Sequence, residues 1–132
     1  MIGVDTNVLV RVFVDEAPEQ TSAALHLLSG LSQDNPAFVG TIVLVELAWV
    51  LKRSYGFDDN AILAAVDSLL ESANIEIEHA DMVQSAVSTA HEHGSDLADS
   101  LIALSAVAAG ASKVVTFDKN VAKRIAGMEL LA

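Results

Sequence analysis

The chain has 132 residues, of which 52% are apolar and 19% charged, and it contains no cysteine. This length fits one compact domain with a sizeable core, and the composition makes disorder unexpected. The lack of cysteine excludes disulfides, thiolate zinc sites and cysteine nucleophiles. No apolar run approaches the roughly 18 residues of a membrane-spanning helix, and no basic segment precedes an apolar run at the N-terminus. We therefore expect a soluble cytoplasmic protein without a membrane partner.

The charge is strongly acidic, with 18 acidic residues against 7 basic ones and a formal net charge of −11. By itself this balance argues against nucleic-acid binding, which depends on Lys and Arg. However, every basic residue lies within seven positions of Asp5, Glu46 or Asp118, although none is that close to Asp99. The basic residues are Arg11, Lys52, Arg53, Lys113, Lys119, Lys123 and Arg124. Chance can produce this clustering, but it leaves nucleic acid open as a substrate.

Hydrophobic periodicity predicts short strands that alternate with helices along the chain. The predicted strands are 2–5, 37–40, 75–79, 113–117 and a short one after Gly127. The predicted helices run from 6 to 12, from Pro18 to 31, from Thr41 to about Ser54 with Gly56 as the C-terminal cap, from the capping Asp58-Asp59-Asn60 through Glu71, from the capping Asp81 to Gly94, from Ser95-Asp96 to Gly110, and from Asp118 to about Ala126. Such alternation is typical of a parallel sheet covered by helices on both faces. The sequence therefore predicts the α/β class, in a single domain over residues 1–132.

Two aspartates follow predicted strands at the points where helices begin, namely Asp5 and Asp118. In parallel sheets, ligands bind beyond the carboxyl ends of the strands. Each aspartate could instead simply cap the helix that follows it, which is a common use of Asp. Their equivalent positions after two strands favour a functional role.

Glu46 is the only charged residue in the eleven-residue segment from Thr41 to Leu51. A helix this apolar is expected to be mostly buried, and an unpaired buried carboxylate costs several kcal/mol. The side chain must therefore accept hydrogen bonds, pair with a cation, become protonated or bind a metal. The alternatives without function are an ion pair with Arg53, on the same helix face, and plain solvent exposure.

Asp96 and Asp99 lie three residues apart on one face of a predicted helix. Asp96 follows Ser95 as a predicted N-cap, and Asp99 lies in the first turn, ahead of the uncharged run LIALSAVAA. Two carboxylates 4 Å apart repel by about 4 kcal/mol at an effective dielectric constant of about 20. If the four acids Asp5, Glu46, Asp99 and Asp118 shared one pocket, the pocket would therefore be unstable without cations. Oxygen ligands without His or Cys select hard ions such as Mg²⁺ or Mn²⁺, which activate water and clamp phosphates.

Four segments together resemble the PIN domain: DTNVLVR (5–11), the Glu within TIVLVELAWVL (41–51), DLADSLIALSA (96–106) and VVTFDK (114–119). The sequence is most similar to the VapC-like toxin ribonucleases of bacterial toxin–antitoxin modules. The resemblance implies a three-layer α/β/α sandwich with a parallel sheet of about five strands. It also implies Mg²⁺- or Mn²⁺-dependent endonucleolytic cleavage of RNA. Asp5, Glu46, Asp99 and Asp118 fall on the family's acidic positions.

The resemblance assigns further roles around these acids. Asp96 matches a supporting acid, and Asn7 and Thr116 match polar positions beside the site. One metal held chiefly by Asp5, Asp99 and Asp118 would activate the attacking water, while Glu46 would bind or position a second metal or the water. Related proteins are usually homodimers that a small antitoxin protein inhibits by inserting a segment into the site.

Other interpretations differ in the chemistry they assign. A PIN-like binding module could pair with a partner without cutting RNA. An aspartate-dependent phosphatase would require a second acid where Asn7 stands, and a P-loop would require a GxxxxGK motif that the chain lacks. His91 and His93, two residues apart, point to different sides of a helix and are predicted to be solvated rather than zinc-bound. Trp49 and Phe13 are predicted core residues, with a dimer or partner contact as the alternative.

Overall fold

The structure is a computed structural model that describes residues 1–132, and the chain divides into two compact units, Met1–Ala80 and Asp81–Ala132. It contains seven helices and five strands, with one or two helices between successive strands, so the predicted α/β class is confirmed. None of the helices combines the length and the apolar character that crossing a membrane requires. That the whole chain forms one domain stays a prediction.

The first unit contains a three-stranded parallel sheet and four helices. Its elements are β1 Ile2–Gly3, α1 Thr6–Phe13, α2 Pro18–Ser29, β2 Ala37–Val39, α3 Thr41–Tyr55, α4 Asp59–Glu71 and β3 Ile75–Ile77. Strand β2 lies in the centre, with Ala37 opposite Ile2 on one side and Ile75 on the other. Helix α1 packs against α2 and α3, and α3 packs against α4.

The core of the first unit is centred on one face of α3. Leu44, Leu47 and Leu51 recur at helical spacing and are fully buried, together with Leu9 of α1 and Val66 of α4. The helix ends at Gly56, whose φ of 69° places it in the left-handed region where glycine is favoured. The predicted C-terminal cap at this glycine is therefore confirmed.

The second unit contains three helices and a two-stranded parallel sheet. Its elements are α5 Ala80–His93, α6 Leu97–Ala108, β4 Val114–Thr116, α7 Lys119–Arg124 and β5 Met128–Leu130. Helix α7 connects β4 to β5, and Val114 lies opposite Met128 in the pair. Val83 and Ala86 of α5 and Leu97 and Leu101 of α6 are buried.

The five strands pair in parallel, as predicted, but they form sheets of three and two strands rather than one continuous sheet. Strand β1 covers Ile2–Gly3 only and is shorter than the predicted 2–5, with Ile2 42% exposed and Val4, beyond the strand, buried. Helix α5 begins at Ala80, so Asp81 lies in its first turn instead of capping it. Helix α6 ends at Ala108, ahead of the predicted end at Gly110.

Candidate active site

Asp5 lies between β1 and α1 and is the N-cap residue of α1. Its Oδ1 accepts a hydrogen bond of 2.7 Å from the backbone N–H of Thr6. The residue is exposed, and Oδ2 makes no hydrogen bond. One carboxylate oxygen thus secures the start of the helix while the other remains available to a ligand.

Asp118 has the corresponding position between β4 and α7. Its Oδ1 accepts from the backbone N–H groups of Asn120 at 2.9 Å and Val121 at 3.2 Å. The backbone N–H of Asp118 in turn donates to Oγ1 of Thr116, at 3.1 Å. Oδ2 of this exposed aspartate makes no hydrogen bond either. Thr116 therefore orients the backbone of a predicted site residue, which fits the supporting position that the resemblance gives it.

Helix capping, the simpler interpretation of these two aspartates, is correct for both. It does not compete with metal binding, because each cap uses Oδ1 alone and a carboxylate can bind a cation through its second oxygen. Capping also fixes the carboxylate in one orientation, which favours ligand binding since less side-chain entropy is then lost.

Asp96 and Asp99 lie at the start of α6, as predicted. Oδ1 of Asp96 accepts from the backbone N–H groups of Ala98 at 2.8 Å and Asp99 at 3.4 Å. Asp99 is half-buried in the first turn. The predicted positions of Asp96 as N-cap and Asp99 as first-turn acid are thus confirmed, and a supporting role of Asp96 in the site stays a prediction.

Two further contacts fix the turn that precedes α6. The hydroxyls of Ser95 and Ser100, both buried, lie 3.0 Å apart in a hydrogen bond. Nη1 of Arg124, in the last turn of α7, donates to the carbonyl of Gly94 at 3.0 Å. Within this unit, the helix that Asp118 caps is therefore tied to the turn that positions Asp96. Neither of these two contacts was predicted from the sequence.

Glu46 is exposed, so the expectation that this side chain is buried is wrong and the alternative of plain solvent exposure is correct. The face of α3 that carries it also exposes Ile42 and Trp49, so the desolvation argument for a functional Glu46 does not hold. Trp49 is 51% exposed, and its predicted place in the core is wrong. The guanidinium of Arg53 lies over the Trp49 ring, 5.4 Å from its centroid, instead of pairing with Glu46.

Glu78, which follows β3, was not anticipated as part of the framework around α3. Its Oε1 accepts from the backbone N–H of Thr41 at 2.9 Å, at the start of the helix that carries Glu46. This hydrogen bond lowers the pKa of Glu78 below its ordinary value of 4.5. Gly40, the N-cap of α3, has no side chain that could accept from the N–H groups of the first turn. This was the only sign in the sequence that α3 needs a capping residue from elsewhere in the chain. Because the partner is 37 residues away, no local pattern reveals it.

Asn7, predicted to support the site, is an exposed residue of α1. It contributes to a cleft of about 310 Å³ between α1 and α2, whose wall includes Val8, Ala23 and Leu27. A role beside the acids stays a prediction for this residue. The four histidines are all exposed, as expected for solvated side chains.

The donor chemistry of the predicted site suits a hard divalent ion, because all four residues offer carboxylate oxygen. The structure contains no group of three or more His, Asp or Glu side chains positioned to hold a metal ion. Three of the acids, Asp5, Asp99 and Asp118, are thus individually positioned at helix starts, and the four-carboxylate ligand set stays a prediction.

A family model described as PIN domain matches residues 2–128, a span that includes all four predicted acids. No curated protein matches the sequence.

Proposed function

The chain belongs to the PIN domain family, and from this premise we propose that it is a metal-dependent endoribonuclease acting in the cytoplasm. PIN domains are generally nucleases, and the nucleases among them generally use divalent metal ions. The observation that carries the proposal is the matched placement of Asp5 and Asp118. Each follows a parallel strand, caps a helix through Oδ1 and keeps Oδ2 free of hydrogen bonds.

In this proposal, Asp5, Asp99 and Asp118 hold Mg²⁺ or Mn²⁺, and Glu46 binds a second ion or positions the attacking water. A divalent ion at such residues supplies the positive charge that makes a water more acidic and offsets the charge of the phosphodiester. The carboxylates contribute negative charge in fixed orientations, since helix capping restrains two of them and the first turn of α6 carries a third.

The basic residues supply the second part of the argument, which concerns the phosphate backbone of RNA. Arg11, Lys52 and Lys113 pair with carboxylates of the protein itself. The other four basic residues form no ion pair; they are Arg53, Lys119, Lys123 and Arg124. These cations follow Glu46 on α3 or Asp118 on α7, so the positive charge that is not neutralised lies beside predicted catalytic acids.

We further propose that the protein is the toxin of a toxin–antitoxin pair, that it forms a homodimer and that a small antitoxin protein inhibits it. The support is the similarity of the four acidic segments to VapC-like toxins. Induced expression in bacteria tests this role. Growth should stop with the wild-type chain and continue with Asp99→Asn, and unaffected growth with well-expressed wild-type protein would contradict it.

The biochemical test incubates purified protein with total cellular RNA in Mn²⁺ or Mg²⁺, beside EDTA and Asp99→Asn controls. Discrete cleavage that both controls abolish would support the nuclease, and the fragment ends would identify the target. If RNA remains intact but the metal raises the melting temperature, the metal site is supported and the tested RNA is not its substrate.

The second candidate is a PIN-fold binding module that does not cleave RNA. The observation that favours it is that no three acidic or histidine side chains are gathered to hold a metal. Intact RNA together with a melting temperature unchanged by metal would support this candidate. The phosphatase alternative has less support, because Asn7 stands where a second acid would be required.

A further inference from the structure

One face of α3 exposes an aromatic residue among charged neighbours. Ile42, Glu46, Trp49 and Arg53 recur at intervals of four, three and four residues, so they lie along one side of the helix. Ile42 is 85% exposed and Trp49 51% exposed, whereas Leu47 on the opposite side is fully buried. Trp49 is the only tryptophan in the chain. A large aromatic side chain on the surface, rather than in the core, requires an explanation.

Arg53 distinguishes this face from an ordinary apolar patch. Its guanidinium lies 5.4 Å from the centroid of the Trp49 ring, within the range of a cation–π interaction. It forms no ion pair with a carboxylate, although the preceding Lys52 pairs with Asp59 at 3.1 Å. In a chain with a net charge of −11, an unneutralised guanidinium beside an exposed indole is suited to a ligand that is both aromatic and anionic. A nucleotide has both properties.

We propose that Trp49 and Arg53 form a docking platform for one unpaired nucleotide of an RNA chain. The base stacks on the exposed part of the indole, and the adjoining phosphate pairs with the guanidinium. Glu46 precedes Trp49 by three residues, or about 4.5 Å along the helix axis, so the platform lies one turn from a proposed catalytic acid. The inference rests on the proposed nuclease function and deepens it, because it specifies single-stranded RNA.

The requirement for an unpaired nucleotide follows from the geometry of RNA. Bases inside an A-form duplex are stacked on each other, and the deep major groove does not admit side chains, so duplex RNA cannot place a base on an exposed ring. With only one tryptophan, one tyrosine and four phenylalanines in the chain, extended stacking is not expected. A single platform therefore selects a loop, a bulge or a free end.

A second copy of the chain is the competing occupant of this face. The cores of protein–protein interfaces are enriched in Trp and Arg but depleted of Glu. Here Glu46 lies on the same stripe as Trp49 and Arg53, so a copy packed on Trp49 would bury this carboxylate or leave it at its edge. A single nucleotide covers only the indole and the guanidinium and leaves Glu46 in solvent, which favours a nucleotide over a second copy.

The single tryptophan makes a direct test possible, because all indole fluorescence comes from Trp49. A short single-stranded RNA is titrated into the full chain in EDTA, where no metal-dependent cleavage occurs, and a duplex of the same sequence is titrated in parallel. We expect saturable quenching by the single strand and none by the duplex. Anisotropy of labelled RNA should show that Trp49→Ala weakens binding at least about fivefold and that Trp49→Phe restores part of the affinity. Arg53→Ala should also weaken it, whereas Ile42→Ala, on the same face, should change it less than twofold.

Several results would overturn the platform. These are absence of RNA binding in EDTA, binding without change in Trp49 fluorescence, or equal affinity of wild type and Trp49→Ala. Tryptophan emission that depends on protein concentration and not on RNA would assign the face to a second copy.

Kinetic measurements separate this inference from the proposed nuclease activity. If wild type cleaves RNA, Trp49→Ala should raise KM with little change in kcat, and if wild type does not cleave, the binding data alone decide the platform.

Discussion

Asp118 has two separable functions in this account, and replacing it in two ways separates them. Its Oδ1 caps α7 by accepting from Asn120 and Val121, while its Oδ2 is assigned to the metal. Asn is as good an N-cap as Asp, so Asp118→Asn keeps the capping oxygen and removes the negative charge. Asp118→Ala removes both.

The expected magnitudes follow from these contacts. Loss of an N-cap side chain costs about 1 kcal/mol, so Asp118→Ala should lower Tm by about 4 °C in a chain of this size, and Asp118→Asn by far less. Even outer partners of metal ligands change affinity or activity by about 10- to 100-fold. Loss of a direct ligand charge should therefore reduce metal-dependent cleavage by at least about 100-fold in both variants.

The assay combines thermal melts, with and without Mn²⁺, and cleavage of one RNA under single-turnover conditions. Mn²⁺ should raise the Tm of wild type and leave that of both variants nearly unchanged. If Asp118→Asn cleaved RNA at the wild-type rate, its carboxylate charge would have no role in catalysis. If it lost as much stability as Asp118→Ala without metal, the capping geometry would be wrong.

Three further predictions concern the framework that positions the acids. Because a hydrogen bond from Thr41 lowers the pKa of Glu78 below 4.5, its charged form stabilises the fold above that pH, and the stabilisation is lost as pH falls through the lowered pKa. Glu78→Gln should therefore lower Tm at neutral pH, and the Tm values of wild type and variant should converge as the pH is decreased. A difference in Tm that stays constant with pH would refute this. Gly94 has a φ of 64°, so Gly94→Ala should cost about 1 kcal/mol in urea unfolding and Gly94→Asn less, since Asn tolerates this region. Equal losses would contradict the backbone argument. Leu47 is fully buried, and Leu47→Ala should cost about 2–5 kcal/mol by the same measurement, whereas a cost below about 1 kcal/mol would exclude it from the core.

Much of the fold follows from local chemistry that is visible in the sequence. Helix α3 ends at Gly56 and α4 begins after Asp58, as the predicted caps require. Left-handed backbone and side-chain capping depend on only a few neighbouring residues and are therefore visible in the sequence. Asp5, Asp96 and Asp118 were likewise located correctly at helix starts. The family resemblance, carried by four segments around the acids, is confirmed by the match over residues 2–128.

The features that the sequence did not reveal depend on contacts between distant residues. The N–H of Thr41 is capped by Glu78, and the carbonyl of Gly94 is held by Arg124, 30 residues away. Neither partner has a local signature. The exposure of Trp49 was missed for a different reason. A helix this apolar was expected to be mostly buried, and periodicity alone does not show which of its apolar residues lack a packing partner. The grouping of five strands into sheets of three and two is also a property of pairing, not of composition.

The most direct test of the central claim compares wild type with Asp5→Asn in the cleavage of single-stranded RNA by purified protein in Mn²⁺. Asn preserves the N-cap that Oδ1 provides to Thr6, so both proteins should have the same fold and nearly the same Tm. Wild type should cleave the RNA in a reaction that EDTA abolishes, and Asp5→Asn should cleave it at a rate at least about 100-fold lower. Full metal-dependent cleavage by Asp5→Asn would contradict the assignment of the carboxylates, and no cleavage by wild type with any RNA would contradict the nuclease.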